Sequence, residues 1–144
     1  MAADDIAAIR SPSPELRRPI NERVLGYLNG MSAHSDIADV LTAATKPLGD
    51  VQVFCPNPSG YGYVLVSTNN VAFGFAAGQH TIAFRLDEKM KTRALATGGL
   101  ALPECGADWV AVVHRRPDSD WPTVDVRFWA LKAYVHARSF TDRS

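Results

Sequence analysis

The stretch from Val71 to Gly99 contains a change of hydrophobic period that constrains the fold more than any other feature of the chain. Bulky and small residues alternate from Val71 to Arg85, which is the period of a β-strand. From Leu86 onward the apolar residues recur at every third or fourth position, which is the period of a helix. Asp87 is a natural N-cap, and Gly98 with Gly99 favours termination. The stretch therefore predicts a β-hairpin that leads directly into a helix.

Three further helices are predicted from apolar residues spaced by three and four. The first begins at about Pro19 and ends near Gly30, and the second ends before Pro47. We expect these two to form a helical hairpin. The last helix is predicted to bury one stripe of bulky side chains, namely Val124, Phe128, Leu131 and Val135.

Strands are predicted at residues 51–55, 61–66, 71–76, 80–85 and 109–114. Because consecutive strands joined by short turns pair antiparallel, we predict an α+β fold. It is a two-layer sandwich with an antiparallel sheet of about five strands, helices on one face and the order α-α-β-β-β-β-α-β-α. A two-residue turn at Ala77-Gly78 would place Phe75 opposite His80 and Phe73 opposite Ile82, so we expect the bulky residues of the hairpin to share one face of the sheet. Residues 1–13 are expected to form a flexible N-terminal arm, and residues 14–144 a single domain.

Composition narrows the classes of partner. The chain carries 15 basic and 15 acidic side chains, so it lacks the positive field on which non-specific nucleic-acid binding depends. Cys55 and Cys105 have no second thiol nearby to begin a zinc site or a redox pair, which predicts reduced cysteines. We expect no metal site and no cofactor. Neither a signal peptide nor a membrane span of ~18 apolar residues is evident. We expect a cytoplasmic protein with no membrane partner.

Three residues are candidates for a small-molecule site. His80 is predicted on the apolar face of the hairpin, where a neutral imidazole could line the mouth of a pocket. Cys105 follows Pro103 and Glu104 in a predicted loop, a setting in which a thiol can be reactive. Together with Trp109 they would line a pocket between the sheet and the last helix. The alternative interpretation is that all three are structural.

Trp129 is a candidate for a binding surface. At 100 degrees per residue it points away from the predicted core stripe of the last helix. An exposed tryptophan among polar residues is typical of a protein contact, although it could instead cover another part of the same chain. Tyr61 and Tyr63 would add a second apolar surface on the sheet. These residues predict a homodimer.

The run from Phe73 to Gly99 also resembles a known family. Its junction, Phe84-Arg85-Leu86-Asp87-Glu88, is similar to that of the N-terminal domain of TfoX and the related MmcQ/YjbR-like proteins, where paired strands lead into a helix. The strand from Trp109 to Val113 and the last helix with Tyr134 are similar in placement, so the resemblance covers residues 37–137 in outline. It implies a small cytoplasmic α+β module without defined catalytic residues, for some members of which competence regulation or DNA association has been suggested.

These observations leave three hypotheses open. The preferred one is a non-catalytic binding or interaction module that self-associates through Trp129 and the aromatic sheet. The second is a small-molecule-binding protein or an unrecognised enzyme with the pocket described above. The third is DNA association through a basic face, formed by Arg85, Lys89, Lys91 and Arg93.

Overall fold

The computed structural model describes residues 18–29, 31, 33, 35–55, 63–78, 81–114 and 125–140. The helices of this part are α1 (Pro19–Leu28), α2 (Ser35–Thr45), α3 (Glu88–Ala96) and α4 (Val126–Arg138). The strands are β1 (Gln52–Phe54), β2 (Val64–Thr68), β3 (Val71–Ala77), β4 (Thr81–Arg85), β5 (Leu100–Ala101) and β6 (Trp109–His114). The predicted order is confirmed, and only the two-residue β5 is new. The arm predicted at residues 1–13 lies outside the described part.

The six strands form one sheet in the order β1-β2-β3-β4-β6-β5, and every neighbouring pair is antiparallel. This confirms the α+β class. Asn69 and Asn70 form the two-residue turn between β2 and β3, with φ of 54° and 62°. Positive φ at both central residues is what a type I′ turn requires, and asparagine tolerates it. In the described part of the chain, no helix is long and apolar enough to cross a bilayer.

The predicted register of the β3–β4 hairpin is wrong. Ala77 pairs with Thr81, so three residues connect the strands instead of two. Phe75 consequently lies opposite Ala83, and Ile82 lies opposite Ala76. His80 falls in this connection, outside the described residues.

A β-bulge in β3 changes which face its side chains occupy. Val66 pairs with Gly74 but Ser67 pairs with Ala72, so Phe73 is an extra residue in β3. Phe73 therefore packs on one face of the sheet and Phe75 on the other, although both have odd numbers. The prediction that the bulky residues share one face is wrong for this reason.

Buried side chains form two cores, one on each face of the sheet. In the main core, α2, α3 and α4 cover the face that carries Phe73 and Phe84. In the second core, which we call the α1 core, Val24 and Leu28 of α1 pack against the face that carries Phe75 and Trp109. Thus α1 lies on the face opposite to the other helices, and the expected helical hairpin is not formed. Packing of α1 removes from water the large side chains on the second face, including Phe75, which the bulge places there.

The buried face of α4 also differs from the prediction. Its innermost residues are Ala130, Ala133 and Ala137, each 0% exposed, whereas Leu131 and Val135 are 45% and 58% exposed. The small alanines allow the helix to approach the bulky sheet residues closely, and Leu131 and Val135 turn outward. Val124, which was assigned to the same stripe, lies outside the described residues.

Gly74 provides a direct test of the bulge. A Cβ added at this position would lie 2.8 Å from the Phe84 ring and 3.2 Å from Cγ2 of Val66, both inside the main core. Gly74→Ala is therefore expected to lower the free energy of unfolding by about 1–3 kcal/mol, as measured by urea denaturation.

Gly26→Ala in α1 is the matched control. Among the described residues, no atom outside the adjoining helix backbone lies within 4 Å of the added Cβ. Since alanine is the better helix former, this variant should gain about 0.5–1 kcal/mol. Equal unfolding midpoints for Gly74→Ala and the unmodified protein would contradict the close packing at the bulge.

Candidate functional site

Three of the residues singled out from the sequence lie in the α1 core. Trp109, Cys105 and Tyr63 are 0%, 3% and 5% exposed. Burial raises the pKa of the Cys105 thiol to about 12, with Glu104 adding to the effect. At neutral pH this thiol is protonated and shielded, which is the opposite of a reactive cysteine. Tyr61, the other candidate on the sheet, lies outside the described residues.

Trp109 is a packing residue at the centre of the α1 core. Its ring lies 5.4 Å from that of Phe75, and the Arg85 guanidinium lies 5.1 Å from its centroid. The indole Nε1 is buried and has no hydrogen-bond partner among the described residues. Trp109 and Cys105 thus lie on one face of the sheet, and the last helix lies on the other. The pocket that the sequence predicted between these residues and the last helix is therefore not formed.

A buried arginine joins several elements at one end of the sheet. Arg85 is 4% exposed and donates from Nε to the Ala72 carbonyl at 2.8 Å and from Nη2 to the Ile20 carbonyl at 2.9 Å. The pairing of β3 with β4 covers Gly74 to Ala77, and Ala72 lies outside it. The Ala72 carbonyl therefore has no backbone N–H of β4 to accept from and needs another donor. Asn21 accepts the Ala72 N–H at 2.9 Å. Side chains thus complete the hydrogen bonds of β3.

Asp108 balances the charge of this arginine. Its carboxylate accepts from Arg85 Nη1 at 3.3 Å and lies 3.8 Å from Nε2 of His136 on α4. Burial alone would raise the pKa of Asp108, but the His136 and Arg85 interactions outweigh it and lower the pKa below its ordinary value. Burial lowers the pKa of Arg85, and Asp108 opposes that shift. We call Arg85, Asp108 and His136 the polar cluster.

In the polar cluster the Asp108 carboxylate is engaged with both Arg85 and His136, which gives the cluster a structural role. Among the residues that the structure describes, no group of three or more His, Cys, Asp or Glu side chains could hold a metal ion. The basic residues proposed for DNA association do not form one face. Arg85 is buried in the sheet, whereas the other three lie on α3, where Lys89 and Arg93 are exposed and Lys91 donates to the Ala107 carbonyl.

An open groove lies between α3, β6 and the first turns of α4. We call it the α3–α4 groove. Its volume is about 360 Å³, and its lining residues are Arg93, Ala94, Thr97, Gly99, Val112, Asp125, Phe128 and Trp129. Trp129 is only 7% exposed, so the outward orientation predicted for it is wrong. It packs in the main core and also lines the groove.

A second concave surface lies on the other side of the α4 N-terminus. A shallow depression of about 480 Å³ is lined by Val40, Ala43, Ala44, Asp125, Val126 and Arg127. Leu131 and Val135 follow Arg127 at intervals of four, which places them on the same face of α4. We call Val40, Ala43, Arg127, Leu131 and Val135 the α2–α4 surface.

Comparison with known proteins adds no assignment. Neither the family models, nor the curated proteins, nor the solved structures include a match to this chain. The resemblance to the TfoX and YjbR-like proteins therefore stays a prediction.

The polar cluster yields a test of stability against pH. Asp108→Asn is expected to lower the free energy of unfolding at neutral pH by about 1–3 kcal/mol, because a neutral amide does not balance the buried arginine. The folded-state pKa of Asp108 is below its ordinary value of 3.8. Its contribution is therefore complete above that value and is lost as pH falls through the folded-state pKa.

Urea unfolding of both proteins, from neutral to strongly acidic pH, measures this difference. The difference in free energy of unfolding between the two proteins should become smaller as the pH falls below the ordinary pKa of the carboxyl group. Glu104→Gln, which removes an exposed carboxylate from the neighbouring turn, serves as the control and should change stability little. A difference that stays constant over the whole range would refute the ionic role of Asp108.

Proposed function

We propose that this chain is a non-catalytic interaction module that forms a homodimer through the α2–α4 surface. The observation that carries the proposal is the exposure of three large apolar side chains on two adjacent helices. Val40, Leu131 and Val135 are 41%, 45% and 58% exposed. Helices α2 and α4 pack side by side, so these side chains belong to one region of the surface.

Single exposed hydrophobic residues are ordinary, but adjoining ones indicate a contact site. In the described part of the chain, the other exposed large apolar residues are dispersed: Met31, Leu95 and Leu100 lie after α1, on α3 and on β5. Both faces of the sheet are covered by helices, and Trp129 and Tyr63 are buried. The proposed contact is therefore not the aromatic surface expected from the sequence but the aliphatic α2–α4 surface.

Charge on this region favours a two-fold arrangement. Asp39 precedes Val40 on α2, Arg127 lies four residues before Leu131 on α4, and both are exposed. In a two-fold dimer each contact occurs twice, so an ion pair between Asp39 of one protomer and Arg127 of the partner subunit would form at two places in the interface. Such pairs at the rim set orientation and add little affinity, which leaves the apolar side chains as the main source of binding energy.

A binding role is also supported by the state of two described groups that could act as catalysts. The Cys105 thiol has a raised pKa and is buried, while Asp108 is engaged with both Arg85 and His136. Catalysis by general acid and base groups requires side chains that reach a substrate with a suitable protonation state. Neither group meets that requirement.

The double variant Leu131→Glu, Val135→Glu tests the proposed dimer. Both side chains are about half exposed, and glutamate is a good helix former, so the fold should be retained. The buried glutamates would oppose the contact, and the dimer dissociation constant should rise by at least about tenfold. Sedimentation equilibrium measures the constant, and circular dichroism checks the fold.

Leu95→Glu is the matched control, since Leu95 is 40% exposed and lies on α3, away from the α2–α4 surface. It should leave association unchanged. A monomer at high protein concentration, or equal dissociation constants for the double variant and the unmodified protein, would overturn the proposal.

A further inference from the structure

The α3–α4 groove has the size of a small-ligand site. Its volume of about 360 Å³ is near the lower end of the ordinary range for such sites, roughly 300–1,000 Å³. The large apolar side chains of its lining are Trp129 and Phe128 from α4 and Val112 from β6. These elements are held by the main core, so the groove is formed before any ligand arrives. A small molecule with an apolar portion fits these dimensions better than a peptide does.

One side of the groove carries a positive charge. Arg93 comes from α3, and its Cζ lies 5.0 Å from the centroid of Phe128. Its side chain has no ion pair or hydrogen bond with any residue that the structure describes. Stacking on the ring holds the guanidinium plane while its N–H groups stay available, which suits two-point binding of a carboxylate. Lys132 adds positive charge nearby, with Nζ 5.4 Å from the same ring.

The other side of the groove carries a carboxylate. Asp125 caps α4, and its Oδ1 accepts the Phe128 N–H at 3.2 Å. That bond occupies one oxygen, and within the described ranges no cationic side chain comes within ion-pair distance of Asp125. The two opposite charges thus line one groove without pairing with each other. A ligand that bears both charges would satisfy both groups.

We propose that the α3–α4 groove binds a small zwitterion of the amino-acid class. Arg93 receives the carboxylate, Asp125 receives the ammonium group, and the apolar side chain of the ligand packs on Trp129 and Phe128. Binding by Arg93 alone would select an acid, and binding by Asp125 alone would select an amine. Specificity for the zwitterion comes from the requirement for both charges.

The test is an NMR titration of the full chain with L-phenylalanine, 3-phenylpropionate, phenethylamine and indole as separate probes. The signals followed are the Trp129 indole N–H and the Thr97 amide, because both residues line the groove. L-phenylalanine is expected to shift both signals in a saturable way and to bind at least about tenfold more tightly than the acid or the amine, since each of these lacks one charged contact.

Arg93→Gln and Asp125→Asn should each weaken L-phenylalanine binding by about tenfold or more. Asparagine is as good an N-cap as aspartate, so the second variant retains the start of α4. Lys89→Gln removes an exposed positive charge from the same helix as Arg93 and should leave binding unchanged. Equal affinity for the zwitterion and either single-charge probe would overturn the assignment of the ligand class. Shifts with indole alone would also overturn the assignment of the ligand class. The absence of a shift with all four probes would overturn the proposal that the groove is a binding site.

Discussion

The architecture depends on one buried cation, Arg85, at the end of the sheet where β3 extends beyond β4. Taking a guanidinium out of water is costly, and the cost is met only when its donors are satisfied. Here they bind carbonyl groups of Ile20 and Ala72 and the carboxylate of Asp108. Asp108 also lies 3.8 Å from His136, so α1, β3, β4 and α4 all meet at this charge. Hydrophobic contact alone is non-directional and would leave the two layers of helices free to slide; these bonds fix their positions.

The sheet is covered by helices on both faces because the β-bulge at Phe73 places large side chains on each face. With regular alternation, Phe73 and Phe75 would share one face, and the other face would carry mainly alanine and glycine. One extra residue moves Phe75 to the second face, where it packs with Trp109. A sheet face that carries two large rings cannot stay in water, and α1 covers it with Val24 and Leu28. A local irregularity of one residue thus decides the number of layers.

Features set by short-range interactions were predictable from the sequence, and features set by the approach of distant elements were not. Asp87 caps α3 as expected, with its side chain accepting the Met90 N–H, because a cap depends on only a few consecutive residues. The prediction of the buried face of α4 was wrong. It relied on hydrophobicity, which favoured Leu131 and Val135, whereas the short distance between the helix and the sheet leaves room only for alanine side chains on the buried face. The groove has no sequence signature, since Arg93 and Asp125 are 32 positions apart and come to line one groove only because α3 packs on β6 while α4 packs on β2, β3 and β4.

Helix α4 links the two proposed activities through its first turn. Asp125 lines both the α3–α4 groove and the depression that adjoins the α2–α4 surface, and Arg127 lies two residues further along. A ligand that holds Asp125 on one side would therefore restrain the turn that carries Arg127 on the other. By thermodynamic linkage, any change that the ligand makes in the dimerisation constant equals the change that dimerisation makes in ligand affinity. Because α4 is held against the sheet along its alanine face, such coupling would be confined to the first turn and would require no movement of the helix as a whole.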